Sequence, residues 1–262
     1  MAKSPKFQRV ALLASETERA QQARAELADQ HDWAPLEEAD VAVVLGGDGF
    51  MLQTLHSMLD AGRVIPAYGM NLGTVGFLMN RYRNGSKVLR RIERARPFAV
   101  APLQMDAITQ SGESHSLLAI NEVSLLREMR QTAKLEVTVN ERVRIKELVC
   151  DGVLLSTPAG STAYNLSANG PILPLDSELL ALTPISPFRP RRWRGAVLPD
   201  RARIKIRVLE AQKRPVSAVA DQRELRDIAE VSLAIARDTE LTLLFDPGHS
   251  LDERIVAEQF AL

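Results

Sequence analysis

The sequence predicts two domains of different class: an α/β domain over residues 1–98, joined by a helical segment at 249–262, and a mostly β, sandwich-like domain over residues 99–248. Three observations predict it. Short apolar runs alternate with helical periodicity over the first hundred residues, and short alternating segments separated by turn residues follow them. A chain of 262 residues, 45% hydrophobic and 25% charged, also carries enough apolar surface for one large or two modest cores without a disulfide or metal.

In the first domain, Val10 to Ala14 reads as a buried strand, and Ser15 with Glu18 offers a capping box for a helix to about Asp29. Val41 to Leu45 is a second buried strand. A glycine-rich turn follows it, and Met51, Leu52, Leu55, Met58 and Leu59 then fall at helical spacing. Ile65 to Tyr68 is the third strand. This order implies parallel pairing with right-handed crossovers and a ligand crevice at the carboxyl ends of the strands. The second domain is read from Leu117 to Ile120, Val123 to Leu126, Lys134 to Val139, Val153 to Ser156, Arg203 to Val208, Val216 to Val219, Val231 to Ala236 and Leu241 to Phe245. Leu251 to Phe260 reads as a helix after Pro247 and Gly248 that packs back on the first domain.

Composition excludes several functions. Lys plus Arg and Asp plus Glu are both 33, so bulk electrostatic capture of nucleic acid or an anionic membrane is not expected, and any anion site is local. No apolar run approaches the roughly 20 residues of a membrane helix, and Met1 to Arg9 leads only into the short run Val10 to Ala14, so no secretory leader is expected. The single Cys150 forms no internal disulfide, which fits a cytoplasmic protein. His31, His56, His115 and His249 lack metal spacing, and no metal-ligating residue is assigned. Arg189, Arg191, Arg192 and Arg194 surround Trp193, but the interleaved Pro187 and Pro190 favour a solvated loop or a subunit contact.

The residues that carry chemistry lie in four stretches. Gly46, Gly47, Asp48 and Gly49 stand between a buried strand and a helix. Glycines there let the backbone approach a ligand, amides at the helix start favour phosphate oxygens, and Asp48 is held at the mouth of the crevice. Asp48 is suited to take a proton, orient a hydroxyl or hold Mg²⁺. The run Asn71 to Leu78, NLGTVGFL, is a second loop at the same sheet edge, suited to form a wall opposite Asp48. Asn121 and Glu122, before an apolar run, offer donors and acceptors to a base edge or a ribose. In DGVLLSTPAGSTAYNLSANGP, Asp151 to Pro171, the turn Pro158 to Thr162 can surround a polar ligand and Tyr164 can stack on a heterocycle. No histidine lies nearby, so Ser161 and Thr162 read as a ligand cradle and not as acyl-transfer nucleophiles.

Together the GGDG, NLGTVGFL, NE and DGVLLSTPAGSTAY motifs, in this order, resemble the NAD kinase family over nearly the whole chain. The block ANGPILPL followed by LALTPISPFRPRRWRG is most similar to its alphaproteobacterial branch. The resemblance implies the NAD kinase fold, with NAD bound in the cleft between the domains. It implies transfer of a phosphoryl group from ATP, or polyphosphate, with a divalent metal such as Mg²⁺, to the 2′-hydroxyl of the adenosine ribose of NAD. By motif match, Asp48 would accept the proton or orient the hydroxyl, with Gly49 beside it and Gly46, Gly47 and Gly49 as the phosphate loop. Asn121, Glu122, Asp151, Ala159, Thr162, Ala163, Tyr164, Asn165, Leu166, Ser167 and Gln222 would hold NAD. The family's homodimers and homotetramers imply a homo-oligomer, with no nucleic acid or membrane partner.

The chain departs from the pattern in places. Ala159 stands where the family commonly has Thr, so a hydroxyl is missing from the turn, and Val149 replaces a basic residue of some relatives. Two rival readings stay open on the motifs. A GGDG-type lipid kinase would need an apolar cleft in place of the hydroxyl-rich Ser161 to Ser167 stretch. A catalytically silent dinucleotide-binding regulator would bind without turnover.

Overall fold

The computed structural model describes residues 6–74, 76–83 and 87–247. The chain divides into two compact units, one running to Val100 and resumed at Glu240, the other spanning Ala101–Thr239.

The first unit is an α/β sheet. Strands β1 (Val10–Ala14), β2 (Val41–Gly46) and β3 (Ala67–Asn71) pair in parallel, with Leu13 opposite Val44 and Val44 opposite Gly69. Helix α1 (Glu18–Ala28) connects β1 to β2, and α2 (Asp48–Asp60) connects β2 to β3. The short β4 (Asn80–Arg81) pairs with the end of β3, and α3 (Val88–Arg94) leads into β5 (Arg96–Val100). Every residue of β2 is buried, as a parallel strand covered on both faces requires. On one face Val41, Val43 and Leu45 pack with Leu27 of α1 and Val88 and Ile92 of α3. On the other, the ends of the Met51 side chain of α2 and of Met79 fill the space over Gly69.

The second unit is built from β6 (Leu103–Thr109), β7 (Ser114–Ala119), β8 (Glu122–Arg127), β9 (Ala133–Val139), β10 (Arg142–Cys150) and β11 (Gly152–Ser156). After the short helix α4 (Tyr164–Ser167) come β12 (Leu179–Ile185), β13 (Ala196–Pro199), β14 (Ile204–Val208), β15 (Val216–Ala220), β16 (Arg223–Leu225) and β17 (Ile228–Ile235). Among the described residues they form two antiparallel sheets, ordered β10-β9-β14-β17-β6-β7 and β13-β12-β11-β8-β15-β16. One apolar core draws on both. Leu103 and Met105 of β6 and Leu135 and Val137 of β9 meet Val123 and Leu125 of β8 and Val153 and Leu155 of β11. That is the sandwich expected from the alternation, which β9 displays by burying every second residue.

The chain then returns to the first unit. Strand β18 (Leu241–Phe245) lies between β3, to which it is parallel, and β5, to which it is antiparallel. This corrects the assignment of Leu241 to Phe245 to the β-rich domain: a buried apolar strand reads alike in either sheet, and only long-range pairing decides. The boundaries accordingly fall near Val100 and Glu240 rather than at 98 and 248, because β5 crosses the expected border and partners β18.

Two local readings also change. Helix α1 starts at Glu18 with Thr17 at its N-cap, so the residue three beyond the cap is Ala20 and no Ser15–Glu18 capping box forms; Ser15 Oγ meets Thr17 Oγ1 instead, at 3.0 Å. The third strand begins at Ala67 and not Ile65, since Pro66 has no N–H to give to a ladder. The expected helix over Leu251 to Phe260, with the segment 249–262, lies outside the described residues.

Candidate functional site

In the first unit the GGDG stretch occupies the carboxyl end of β2 and the start of α2, with Gly47 at the N-cap and Asp48 as the first helical residue. The two loops pack closely where they meet, since a Cβ on Gly73 would stand 3.3 Å from the Cα of Gly47, tighter than an ordinary contact. Gly76 has φ +114 and sits over the Asn71 side chain, leaving no space for a Cβ. Asn71 Oδ1 in turn accepts the Gly73 N–H at 2.9 Å. The second loop therefore does more than face Asp48. Phe77 N–H donates to Asp48 Oδ2 at 2.7 Å and Leu78 N–H to Oδ1 at 2.9 Å, fixing the carboxylate while each oxygen keeps acceptor capacity. Gly49 differs from the others: a Cβ there meets nothing within 4 Å, so packing inside the protein does not demand glycine at that position.

In the second unit the NE pair and the PAGSTAY turn are brought together by backbone contact. A Cβ on Gly160 would collide with the Asn121 carbonyl, so the turn lies directly on Asn121. Thr157 secures it, donating from Oγ1 to the carbonyl of Ile120 at 2.7 Å and accepting the Gly160 N–H at 3.1 Å. On the other side, the Asp221 carboxylate in the β15–β16 turn accepts the N–H groups of Ile120, Asn121 and Glu122 at 2.7, 2.9 and 3.2 Å. Sequence reasoning assigned neither Thr157 nor Asp221 a role. Nothing local in the sequence signals the reach of Asp221 to residue 120.

This clamp has electrostatic consequences. Burial, and then the Asp221 charge, push the Glu122 carboxyl up to about 8, against a smaller opposing hydrogen bond from the Tyr164 backbone. Glu122 thus carries a proton at neutral pH. Among the described residues, Glu122 Oε2 and Asn121 Oδ1 are buried atoms without a hydrogen-bond partner. Such atoms are costly unless something else satisfies them, which marks the pair as prepared for a polar ligand.

The other expected site residues divide by accessibility. Tyr164, Thr162, Ala163 and Leu166 are half-buried, Ser167 and Gln222 are exposed, and Ala159 is buried. Tyr164 and Asp151 line one cleft of about 920 Å³ with Leu126, Arg127, Met129 and Ile185. Asp151 is ion-paired there, its Oδ1 2.5 Å from Arg127 Nε, a partner no motif pointed to. Asn165 is fully buried and committed to the loop: its amide donates to the carbonyls of Ser161 and Pro171, and its Oδ1 accepts from Thr183. Ser161 Oγ bonds the Pro158 carbonyl and the Leu173 N–H, so it is a structural hydroxyl. Arg189 and Arg191 lie over the exposed Phe188 ring, at 5.5 and 5.6 Å. Cys150 is buried, and burial pushes its thiol up to about 12.

Comparison with known proteins identifies the family of both units. The family model of the ATP-NAD kinase N-terminal domain matches residues 6–95, and that of the ATP-NAD kinase C-terminal domain matches residues 120–239. The NAD kinase of Rhizorhabdus wittichii is 64% identical over 97% of this chain and 99% of its own length. That of Zymomonas mobilis is 63% identical over 98% and 99%, and that of Caulobacter vibrioides 55% over 98% and 98%. Among solved structures, yeast NADH kinase complexed with NADH superimposes with a TM-score of 0.81 at 22% identity, covering 98% of this chain and 88% of that one. An NAD kinase from Archaeoglobus fulgidus in complex with ATP gives 0.78 at 22% identity, covering 97% and 100%.

Proposed function

The chain belongs to the NAD kinase family and phosphorylates NAD to NADP, and from that premise we propose how its residues share the reaction. Asp48 orients the 2′-hydroxyl of the adenosine ribose and takes its proton as the oxygen attacks the terminal phosphorus and the bond to the leaving phosphate breaks. The observation that carries this assignment is the pair of amide bonds from Phe77 and Leu78, which leave the carboxylate fixed in direction but still able to accept. Phosphoryl transfer depends mainly on positioning and charge neutralisation, so one fixed acceptor supplies only part of the acceleration. Gly46, Gly47 and Gly49 let the donor's phosphates approach the start of α2.

In the second unit, Tyr164 stacks on the adenine, with Thr162, Ala163, Leu166 and Ser167 around it. Asn121 Oδ1 accepts from, and protonated Glu122 donates to, the polar groups of the dinucleotide. Asn165 and Thr157 position the turn, Ala159 contributes backbone, and Asp151 and Gln222 border the bound molecule. ATP is the donor, as the ATP complex of the archaeal relative supports; polyphosphate offers the same oxygens. A divalent metal such as Mg²⁺ would be carried on the donor's phosphates. When bound, the ion neutralises charge on the phosphoryl group being transferred.

Exposed Met129, Val143, Phe188 and Val197, all in the second unit, support a homo-oligomer, which light scattering would test. No helix among the described residues is long and apolar enough to cross a membrane, and the lone buried cysteine suits the reducing cytoplasm as the site of action. The deciding assay couples NADP formation from NAD, ATP and Mg²⁺ to a dehydrogenase. Asp48→Asn is expected to lose about 10²–10⁴-fold in turnover while still binding NAD. Undiminished turnover in that variant would remove Asp48 from the chemistry.

A further inference from the structure

The first unit holds a second concave site, remote in sequence from GGDG, with an unusual charge. A cavity of about 440 Å³ is lined by Arg83, Lys87, Arg90, Arg91 and Arg94, with Asp246 as its one carboxylate, an excess of four positive charges in a chain whose net charge is zero. Its floor is rigid. Arg91 Nη2 is ion-paired to Asp246 Oδ2 at 2.5 Å, with both side chains under one-fifth exposed, and the Tyr68 hydroxyl donates to the same carboxylate at 2.8 Å. The Asp246 N–H donates to Asn80 Oδ1, and the fully buried Asn80 amide holds the carbonyls of Gly69 and Leu244. Asp246 is thereby matched to Arg91, and four exposed cations remain on the rim.

Those four have no acidic partner among the described residues, so their charges stand uncompensated around one cavity. The helix does nothing to relieve them. Lys87 and Arg91, and Arg90 and Arg94, are like charges four apart, an arrangement that destabilises a helix. The one acid of α3, Glu93, lines a different cleft with Phe7 and His31. The position in the fold is also that of a ligand site: Arg83 follows β4 and Asp246 follows β18, both parallel to β3, so the cavity opens at the carboxyl edge of the sheet that also carries GGDG.

We propose that this cavity binds a small polyvalent oxyanion, a short chain of phosphates, held by Arg83, Lys87, Arg90 and Arg94 above the Arg91–Asp246 floor. Guanidinium groups present paired donors that match phosphate oxygens, and several of them around one cavity favour a chain of phosphates over a single ion. The site shares no residue with the motifs given roles in the reaction, so it stands or falls independently of them.

Isothermal titration of the full chain with tripolyphosphate, ATP and orthophosphate at about 0.1 M salt tests it, since exposed charges are still felt at that ionic strength. The variants are Arg90→Ser/Arg94→Ser and, as a control removing the same charge elsewhere, Arg207→Ser/Arg237→Ser. The expected result is a loss of about tenfold or more in tripolyphosphate affinity in the first double variant only, with NAD binding and the urea midpoint retained. A parallel loss for ATP identifies a nucleotide's triphosphate as the ligand; a loss confined to tripolyphosphate identifies an inorganic chain. Arg94→Ser alone, at the exposed end of α3, gives a smaller loss of the same sign should the double variant fold poorly. Equal affinity in wild type and in both the Arg90/Arg94 and Arg94 variants, or no tripolyphosphate binding at all, overturns the proposal.

Discussion

Glu122 shows how a residue's chemistry departs from its type. An isolated glutamate is ionised at neutral pH, but burial beside Asp221 lifts this carboxyl to about 8. Between about pH 4.5 and 8 the folded chain therefore binds a proton that the unfolded chain does not, so this group makes stability fall as pH rises through that window. Glu122→Gln should flatten the decline by up to about 1 kcal/mol per pH unit, read from urea unfolding at several pH values; an unchanged slope would mean the carboxyl is ionised in the folded protein. Tyr164 is simpler. It lines the cleft of the second unit, and Tyr164→Ala should weaken NAD binding by roughly 1–3 kcal/mol, the usual worth of one stacked base, with the fold intact. Wild-type affinity would take its ring out of the pocket. The motifs marked both residues, yet the proton on Glu122 was not legible, because Asp221 lies about a hundred positions away in sequence.

At the scale of elements, the site rests on loops pinned by contacts that only glycine permits. The turn over Ala159–Thr162 sits on the Asn121 carbonyl through Gly160, and its other fixed points are Thr157 and Asn165. Gly160→Ala should leave both sheets folded but displace this turn, costing about tenfold or more in NAD affinity, a loss of roughly 1.4 kcal/mol. Hydrogen exchange would show the change confined to the turn and the start of β8; affinity equal to wild type would mean the turn tolerates the shift. Strands and helices with clear periodicity were placed in the sequence to within a few residues. The capping box was not realised, because α1 begins at Glu18 itself and puts Ala20 where the box needs an acid or amide.

For the whole molecule, the decisive feature is the return of the chain to its first sheet. Leu241–Phe245 inserts between β3 and β5, burying Leu243 and Leu244, so the first unit is completed by residues more than a hundred positions beyond its own end. Ending the chain before Leu241 should expose an apolar edge of β3 and remove the partner of β5. Amide protection should then be lost in β1, β2 and β3 while β9 and β14 stay protected. Protection retained in β2 would mean that the first unit closes without its last strand.

The sequence by itself determined the class of both units, the family and the loops that carry the chemistry, because these depend on local periodicity and on glycines, hydroxyls and carboxylates in fixed short spacings. Only the tertiary structure decided that β18 joins the first sheet, that Asp48 is fixed by the amides of Phe77 and Leu78, that Asp221 holds the Asn121–Glu122 turn, and that the cations of α3 converge above Asp246. Each of these depends on the proximity of residues far apart in the chain. Pairing, burial and the electrostatic coupling that follows exist only once the chain has closed on itself.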